Sequence, residues 1–151
     1  MKTDTQTPRS LCPLSKALDI IGDKWSLVII RDMCLGKKRY GDFQSSPEGI
    51  PSNILSNRLR KLEECGLLDK QPYQLKPVRY DYFLTAKSAD LLPVLQALVR
   101  WTQKYDDDCW QSPEGFLSAK PEDLLANIGT LNDTADAVQD YVAGFAENEK
   151  D

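Results

Sequence analysis

The sequence predicts a mainly α fold with a small β wing, and three observations carry that expectation. Apolar residues recur at helical spacing through successive segments between Pro13 and Leu62. The period then shortens to two in Val78–Leu84, where Val78, Tyr80, Tyr82 and Leu84 alternate with Arg79, Asp81 and Phe83. Helical spacing returns after Thr85. A run of helices that closes on one amphipathic helix and is followed by a two-stranded hairpin has the order of a winged helix-turn-helix, with the last helix as reader and the hairpin as wing. The later helix is then an appended element.

In chain order, residues 3–11 read as a polar arm. Pro13–Ile21 is expected as a short helix with Leu14, Leu18 and Ile21 on one face and Gly22 closing it. Asp23 is an N-cap candidate for residues 24–35, which are apolar around most of the circumference and predict the central core helix, ended by Gly36. Lys37, Lys38 and Arg39 follow, then a helical turn over 40–45 with Tyr40 and Phe43 facing inward. The turn over 46–50, with Pro47 and Gly49, delivers the chain to the helix on which the reading centres.

That helix starts at Pro51 and Ser52 and stops before Gly66. Leu55, Leu59 and Leu62 form its apolar stripe, while Asn53, Ser56, Asn57, Arg60 and Lys61 fall within about 80° of the opposite side at 100° per residue. Amides, hydroxyls and cations are the groups that meet base edges and phosphates: Asn suits adenine, Arg suits guanine, and Ser or Lys suits base or backbone. Residues 67–71 and 78–84 are expected as the wing strands, joined by a tip over 72–77 that carries Lys76. Thr85 is expected to cap one long helix over 86–107, whose stripe of Leu91, Leu95, Leu98, Thr102 and Tyr105 presents more apolar surface than a body this size covers and suggests a dimer interface. Two short acidic helices are expected beyond it, one from Pro121 and one from about Asn132.

Composition narrows the function. A chain of 151 residues with 41% hydrophobic and 28% charged residues is sized for one soluble domain, needing neither disulfide nor metal to fold. The polar N-terminus has no signal-peptide character and no apolar run reaches a membrane span, so a cytoplasmic location is expected. With no histidine and with Cys12, Cys34, Cys65 and Cys109 far apart, zinc-ligand spacing and histidine-dependent catalysis are both missing, so neither an enzyme nor a cofactor is expected. The net charge of −4 hides an asymmetry: residues 1–84 hold 14 Lys and Arg against 10 Asp and Glu, and residues 85–151 hold 5 against 13. A basic front suits a nucleic-acid partner, because only charges within about a Debye length of the phosphates matter much.

Several stretches are recognisable together: Cys12-Pro13-Leu14, Ile21-Gly22-Asp23-Lys24-Trp25-Ser26-Leu27, Leu35-Gly36-Lys37-Lys38-Arg39-Tyr40-Gly41-Asp42-Phe43, Ile54-Leu55-Ser56-Asn57-Arg58-Leu59, Glu63-Glu64-Cys65-Gly66-Leu67-Leu68 and Val78-Arg79-Tyr80-Asp81-Tyr82-Phe83-Leu84-Thr85. In this order and spacing the chain resembles the HxlR-type family of bacterial winged-helix transcriptional regulators over residues 11–105. The resemblance implies a winged helix-turn-helix domain over 11–108 and leaves 109–151 as an acidic helical extension. It also implies a homodimer joined through its first and last common helices, with reader helices in successive major grooves of a near-palindromic double-stranded operator and wings on flanking minor grooves or phosphates. The DNA-binding candidates are then Ser52, Asn53, Ser56, Asn57, Arg60 and Lys61 on the reader, and Lys37, Lys38, Arg39, Lys76 and Arg79 around it. One departure is that Ala86-Lys87-Ser88 stands where the family commonly places a glycine soon after Leu-Thr.

Some members of the family sense oxidants or electrophiles through a cysteine at the position of Cys12, which implies an oxidant or small-molecule effector here. A separate physical reason favours Cys12: it lies just before a helix N-terminus, where the dipole and free N–H groups favour a thiolate. Cys65 lies at a helix C-terminus, Cys34 at the end of the apolar helix, and Cys109 after three aspartates that disfavour another negative charge. The implied dimer brings the elements bearing Cys12 and Cys109 together, so an intersubunit Cys12–Cys109 disulfide is the expected oxidised form. The competing reading is a winged-helix protein-interaction module that binds no DNA, which would need no cations on the face of reader and wing.

Overall fold

Asp23 fixes the start of the central helix. Its carboxylate accepts hydrogen bonds from the backbone N–H groups of Trp25 and Ser26, both at 3.0 Å, and from the Ser26 hydroxyl at 2.5 Å. Residues 9–126 are described by a computed structural model. Ahead of the hairpin it has α1 (Pro13–Ile21), α2 (Ser26–Cys34), α3 (Tyr40–Gln44) and α4 (Ser52–Glu64). The hairpin is β1 (Leu68–Leu75) with β2 (Val78–Leu84), and α5 (Ala86–Ala89), α6 (Leu92–Tyr105), α7 (Glu114–Ser118) and α8 (Pro121–Ala126) follow. The expected mainly α fold with a β wing is the fold observed.

The core gathers Ile29, Ile30 and Met33 of α2, Phe43 of α3, and Leu55, Leu59 and Leu62 of α4. Leu92 and Leu95 of α6 and Leu124 of α8 close it. Each such side chain contributes about 1.5–3 kcal/mol by leaving water, so the α4 stripe alone anchors the reader helix firmly. Gly36 and Gly66 end α2 and α4 at φ 93° and 73°, a backbone region that side chains with a Cβ disfavour. At Gly66 the chain turns directly into Leu67 and Leu68, both buried, which root the wing in the core.

The strands pair antiparallel from Leu68↔Leu84 at the base to Leu75↔Val78 at the tip, with an irregularity between Pro72 and Gln74. The first strand thus runs beyond the expected 67–71, because Pro72 falls at the irregularity and does not end the ladder. The tip shrinks to Lys76 and Pro77. Arg39 adds an isolated bridge to Asp81, and the Tyr82 N–H donates to the Lys38 carbonyl at 2.7 Å, so the segment before α3 lies along the wing.

Two expectations need correction. The helix expected over 86–107 is two helices: Thr85 caps α5 in a reciprocal box with Ser88, and the chain breaks at Asp90 and Leu91 before α6. Pro93 explains the restart, since it lacks the N–H that a continuous helix would need there and is at home in a first turn. The apolar stripe also divides. Leu95 is 6% exposed within the chain's own core and Leu91 packs against it, so neither is available as an unpaired surface. The outward face of α6 is instead Val94, Leu98, Trp101 and Tyr105.

Beyond α6 the chain folds back. The buried Gln96 amide donates to the carbonyls of Phe116 and Ala119 at 2.9 and 2.8 Å, and Arg100 donates to the Leu117 carbonyl at 2.7 Å. These bonds satisfy carbonyls of a segment otherwise held only by short helices, and they seat Leu124 in the core. The part of the extension up to residue 126 therefore packs on the winged domain. The helix expected from about Asn132 lies outside the described residues.

Candidate nucleic-acid interface

The three leucines of α4 face inward, which turns its polar side outward. Ser52, Asn53, Ser56, Asn57 and Arg60 are all exposed, and no acidic residue stands among them. Asn53, Asn57 and Arg60 have no side-chain hydrogen bond or ion pair among the described residues, so their donors and acceptors are free for a ligand. Tyr40 secures the N-terminal turn: its hydroxyl donates to the Ser52 carbonyl at 2.8 Å and lies 3.2 Å from the Ser56 hydroxyl. The sequence marks Tyr40 only as an inward-facing ring, because its hydroxyl partners lie 12 and 16 residues away.

At the other end of the helix, the cations divide into outward and inward groups. Lys61 donates to the Asp19 carbonyl at 3.1 Å, at the C-terminal end of α1, where a cation also suits the helix dipole. Lys37 turns inward, donating to the Ser46 hydroxyl at 3.0 Å with its ammonium 3.8 Å from Asp32. Asp32 is buried and takes hydrogen bonds from Arg31 and from Ser46. Arg31 also grips Glu48 with two nitrogens, which holds the Glu48 carboxyl below the usual range although burial alone pushes it up. This ion cluster ties the end of α2 to the turn that launches α4.

Arg58, which no sequence signal marked, pairs with Asp23 at 3.3 Å without a well-aligned hydrogen bond. Burial raises the Asp23 carboxyl, but the Ser26 hydroxyl, the two backbone N–H donors and Arg58 outweigh it and leave the group below the usual carboxylate range. The turn that opens α2 is thereby linked to the middle of α4.

The wing is pinned from two sides. Arg39 donates through Nε to Asp81 at 3.0 Å and lies 4.0 Å over the Tyr73 ring, with Lys38 3.9 Å from the same carboxylate. Lys70 pairs with Glu63 of α4 at 3.2 Å and covers Tyr80 at 4.6 Å. Lys76 and Arg79 project from the tip, exposed. Of the five cations expected around the reader, Lys76 and Arg79 have no ion-pair partner among the described residues, Lys38 and Arg39 sit on Asp81, and Lys37 is turned into the body.

The cysteines differ in setting. Cys12 is exposed at the N-cap of α1, Cys65 and Cys109 are half-buried, and Cys34 is buried. Burial, helped by the nearby Asp32 carboxylate, pushes the Cys34 thiol up to about 12 and makes it inert at neutral pH. Among the described residues there is no metal-ligating cluster and no helix long and apolar enough to cross a membrane.

A family profile described as HxlR-like helix-turn-helix matches residues 20–109. An HTH-type transcriptional regulator of Mycobacterium tuberculosis, Rv3095, is 38% identical over 92 residues, which are 61% of this chain and 58% of that protein. The chain therefore matches little more than half the length of that relative. Among solved structures, PA1607, described as a candidate transcription factor, superposes with a TM-score of 0.62 at 37% identity, covering 70% of this chain and 75% of that one. The redox regulator HypR in its oxidised form superposes with a TM-score of 0.58 at 31% identity, covering 64% of this chain and 99% of that one. On the profile match and on the fold, this chain belongs to the HxlR-like helix-turn-helix family.

Proposed function

We propose that the chain is a dimeric, sequence-specific DNA-binding transcription regulator. The observation that carries this reading is the outward face of α4: Asn53, Ser56, Asn57 and Arg60 are exposed together on a helix whose opposite side is locked in the core. A major groove about 12 Å wide admits such a helix, and these residue types hydrogen-bond to base edges there. Lys76 and Arg79 on the wing, with Lys38 beside it, suit the flanking phosphates. The relatives named as transcriptional regulators support the same reading.

Apolar surface that no described residue covers supports the dimer. No residue of α1 is buried, and Leu14 on it is 67% exposed. On α6, Trp101 is 65% exposed, and Pro93, Val94, Ala97, Leu98 and Trp101 line an open apolar groove. Binding to a near-palindromic operator requires that a second copy covering both faces set the two α4 helices one turn of DNA, about 34 Å, apart.

A thiol switch is part of the proposal, supported by the exposure of Cys12 and by the similarity to a redox regulator. Peroxide oxidises the Cys12 thiolate to a sulfenic acid with loss of hydroxide. The Cys109 thiolate of the other subunit then attacks that sulfur and expels a second hydroxide, leaving an intersubunit disulfide, while peroxide has accepted two electrons. Closure needs Cα atoms within about 7 Å, so it rotates one subunit on the other and alters the reader spacing. The test is binding of the full chain to the DNA upstream of its own reading frame over a range of salt, with and without peroxide, diamide or a quinone. Specific binding that weakens on oxidation, with a dimer-sized band on non-reducing gels lost in Cys109→Ser, is expected. No binding to that DNA or to sequences selected from a random pool ends the reading, and unchanged affinity after oxidation ends the switch alone.

A further inference from the structure

At the far end of the wing, apolar surface and positive charge meet. Leu75 and Val78 form the last cross-strand pair and are 73% and 52% exposed. Lys76, Pro77 and Arg79 around them are exposed as well. Residues 70–80 hold Lys70, Lys76 and Arg79 and no Asp or Glu. Polar residues would serve a hairpin turn as well as Leu and Val do, so the exposed pair contributes nothing to the fold that explains its presence.

The wing is also tied to the body and across its own tip. Lys70 ties β1 to Glu63, Arg39 and Tyr73 clamp its middle, and the Gln74 amide donates to the Lys76 carbonyl across the tip at 3.2 Å. Seven residue steps from the buried Leu68 to Leu75 at about 3.3 Å each carry the tip up to about 23 Å from the core. Half a turn of DNA, the distance from a major groove to the next minor groove, is about 17 Å.

We propose that the wing tip is an apolar wedge for the DNA minor groove. Leu75, backed by Pro77 and Val78, enters the groove beside the half-site read by α4 and partly unstacks one base step, while Lys76 and Arg79 meet the phosphates on its walls. The inference rests on the DNA-binding reading of α4. Size favours this occupant: a minor groove about 6 Å wide takes a single aliphatic side chain, whereas a stable protein interface needs roughly 1,000 Å² or more. Leucine and proline are residues that wedge between base steps and kink the duplex by about 20–90°. Because pyrimidine–purine steps unstack most readily, the wedge also selects a flanking sequence that α4 does not touch.

The test uses the full chain and a duplex that it selects from a random-sequence pool, in circularly permuted fragments that report bending and in titrations over salt. Wild type is expected to bend the duplex by roughly 20° or more and to prefer a flanking TA or CA step about fivefold. Leu75→Ser is expected to lose most of the bend and the step preference at an unchanged salt slope, and Leu75→Met to restore both. Lys76→Ala is expected to lower the salt slope by about one. If Leu75→Ser bends and discriminates like wild type, the wedge is wrong and the reading of α4 stands. If the full chain selects no sequence from the pool, the reading of α4 fails and the wedge with it.

Discussion

Replacing Asp23 by alanine removes one carboxylate from three tasks. The backbone N–H groups of Trp25 and Ser26 lose their cap, which costs about 1 kcal/mol. The Ser26 hydroxyl, fully buried, loses its acceptor at about 1 kcal/mol or more. Arg58 is left facing no carboxylate. Its side chain is 26% exposed and that of Asp23 19%, so a third contribution of about 1 kcal/mol is appropriate, well below that of a fully buried pair. The total is about 3 kcal/mol, or a fall in Tm of roughly 10 °C for a domain of this size. Urea unfolding of Asp23→Ala, Arg58→Gln and the double variant measures the total and, through the cycle, a coupling of about 1 kcal/mol. The pH dependence has a definite sign. Because the folded Asp23 carboxyl lies below its ordinary value of 3.8, its contribution is complete above about pH 4 and disappears as pH falls through the folded value. Wild type and Asp23→Asn should therefore converge below that pH. A loss under about 0.5 kcal/mol in Asp23→Ala, or a difference from Asp23→Asn that persists in acid, refutes the clamp between α2 and α4.

The same structure makes further predictions. Trp101→Asp or Leu98→Asp, on the outward face of α6, should give a folded monomer by sedimentation, whereas a wild type that sediments as a monomer at micromolar concentration removes the dimer. Leu124→Ala should cost about 2–3 kcal/mol in urea unfolding because Leu124 closes the core beyond α6, and stability equal to wild type means the segment is not docked. In the native chain iodoacetamide should label Cys12 first and spare Cys34, whose thiol is pushed up to about 12, as mass spectrometry of the alkylated protein can check.

What the sequence made legible was set by local physics. The α4 stripe, the left-handed Gly66 and the Asp23 carboxylate at the start of α2 are each decided within a few residues, and each is found where the pattern puts it. The alternation expected in β2 is not matched by its burial: Val78 is exposed because the wing tip leaves the body, and Asp81 and Phe83 are half-buried beside Tyr80, Tyr82 and Leu84. Long-range pairing left no such trace. Lys37 and Lys61 look like any basic residue near a reader helix, and only the tertiary approach of Asp32, Ser46 and the Asp19 carbonyl turns them inward. An amphipathic stripe cannot say whether its partner is the same chain or another, so Leu95 and Leu98 looked alike although one is buried and the other exposed. Arg58 and Tyr40 act through partners 35 and 12 residues away, at Asp23 and Ser52. The break before α6 is different, because Pro93 announced it and the apolar spacing masked it.

Whether α4 reads sequence is settled most directly by comparing Arg60→Ala and Asn57→Ala with wild type on a selected duplex and on random DNA of equal length, by fluorescence anisotropy at matched salt. A loss of about 1–3 kcal/mol is expected on the selected duplex and little on random DNA. Equal losses on both duplexes, or none on either, contradict it.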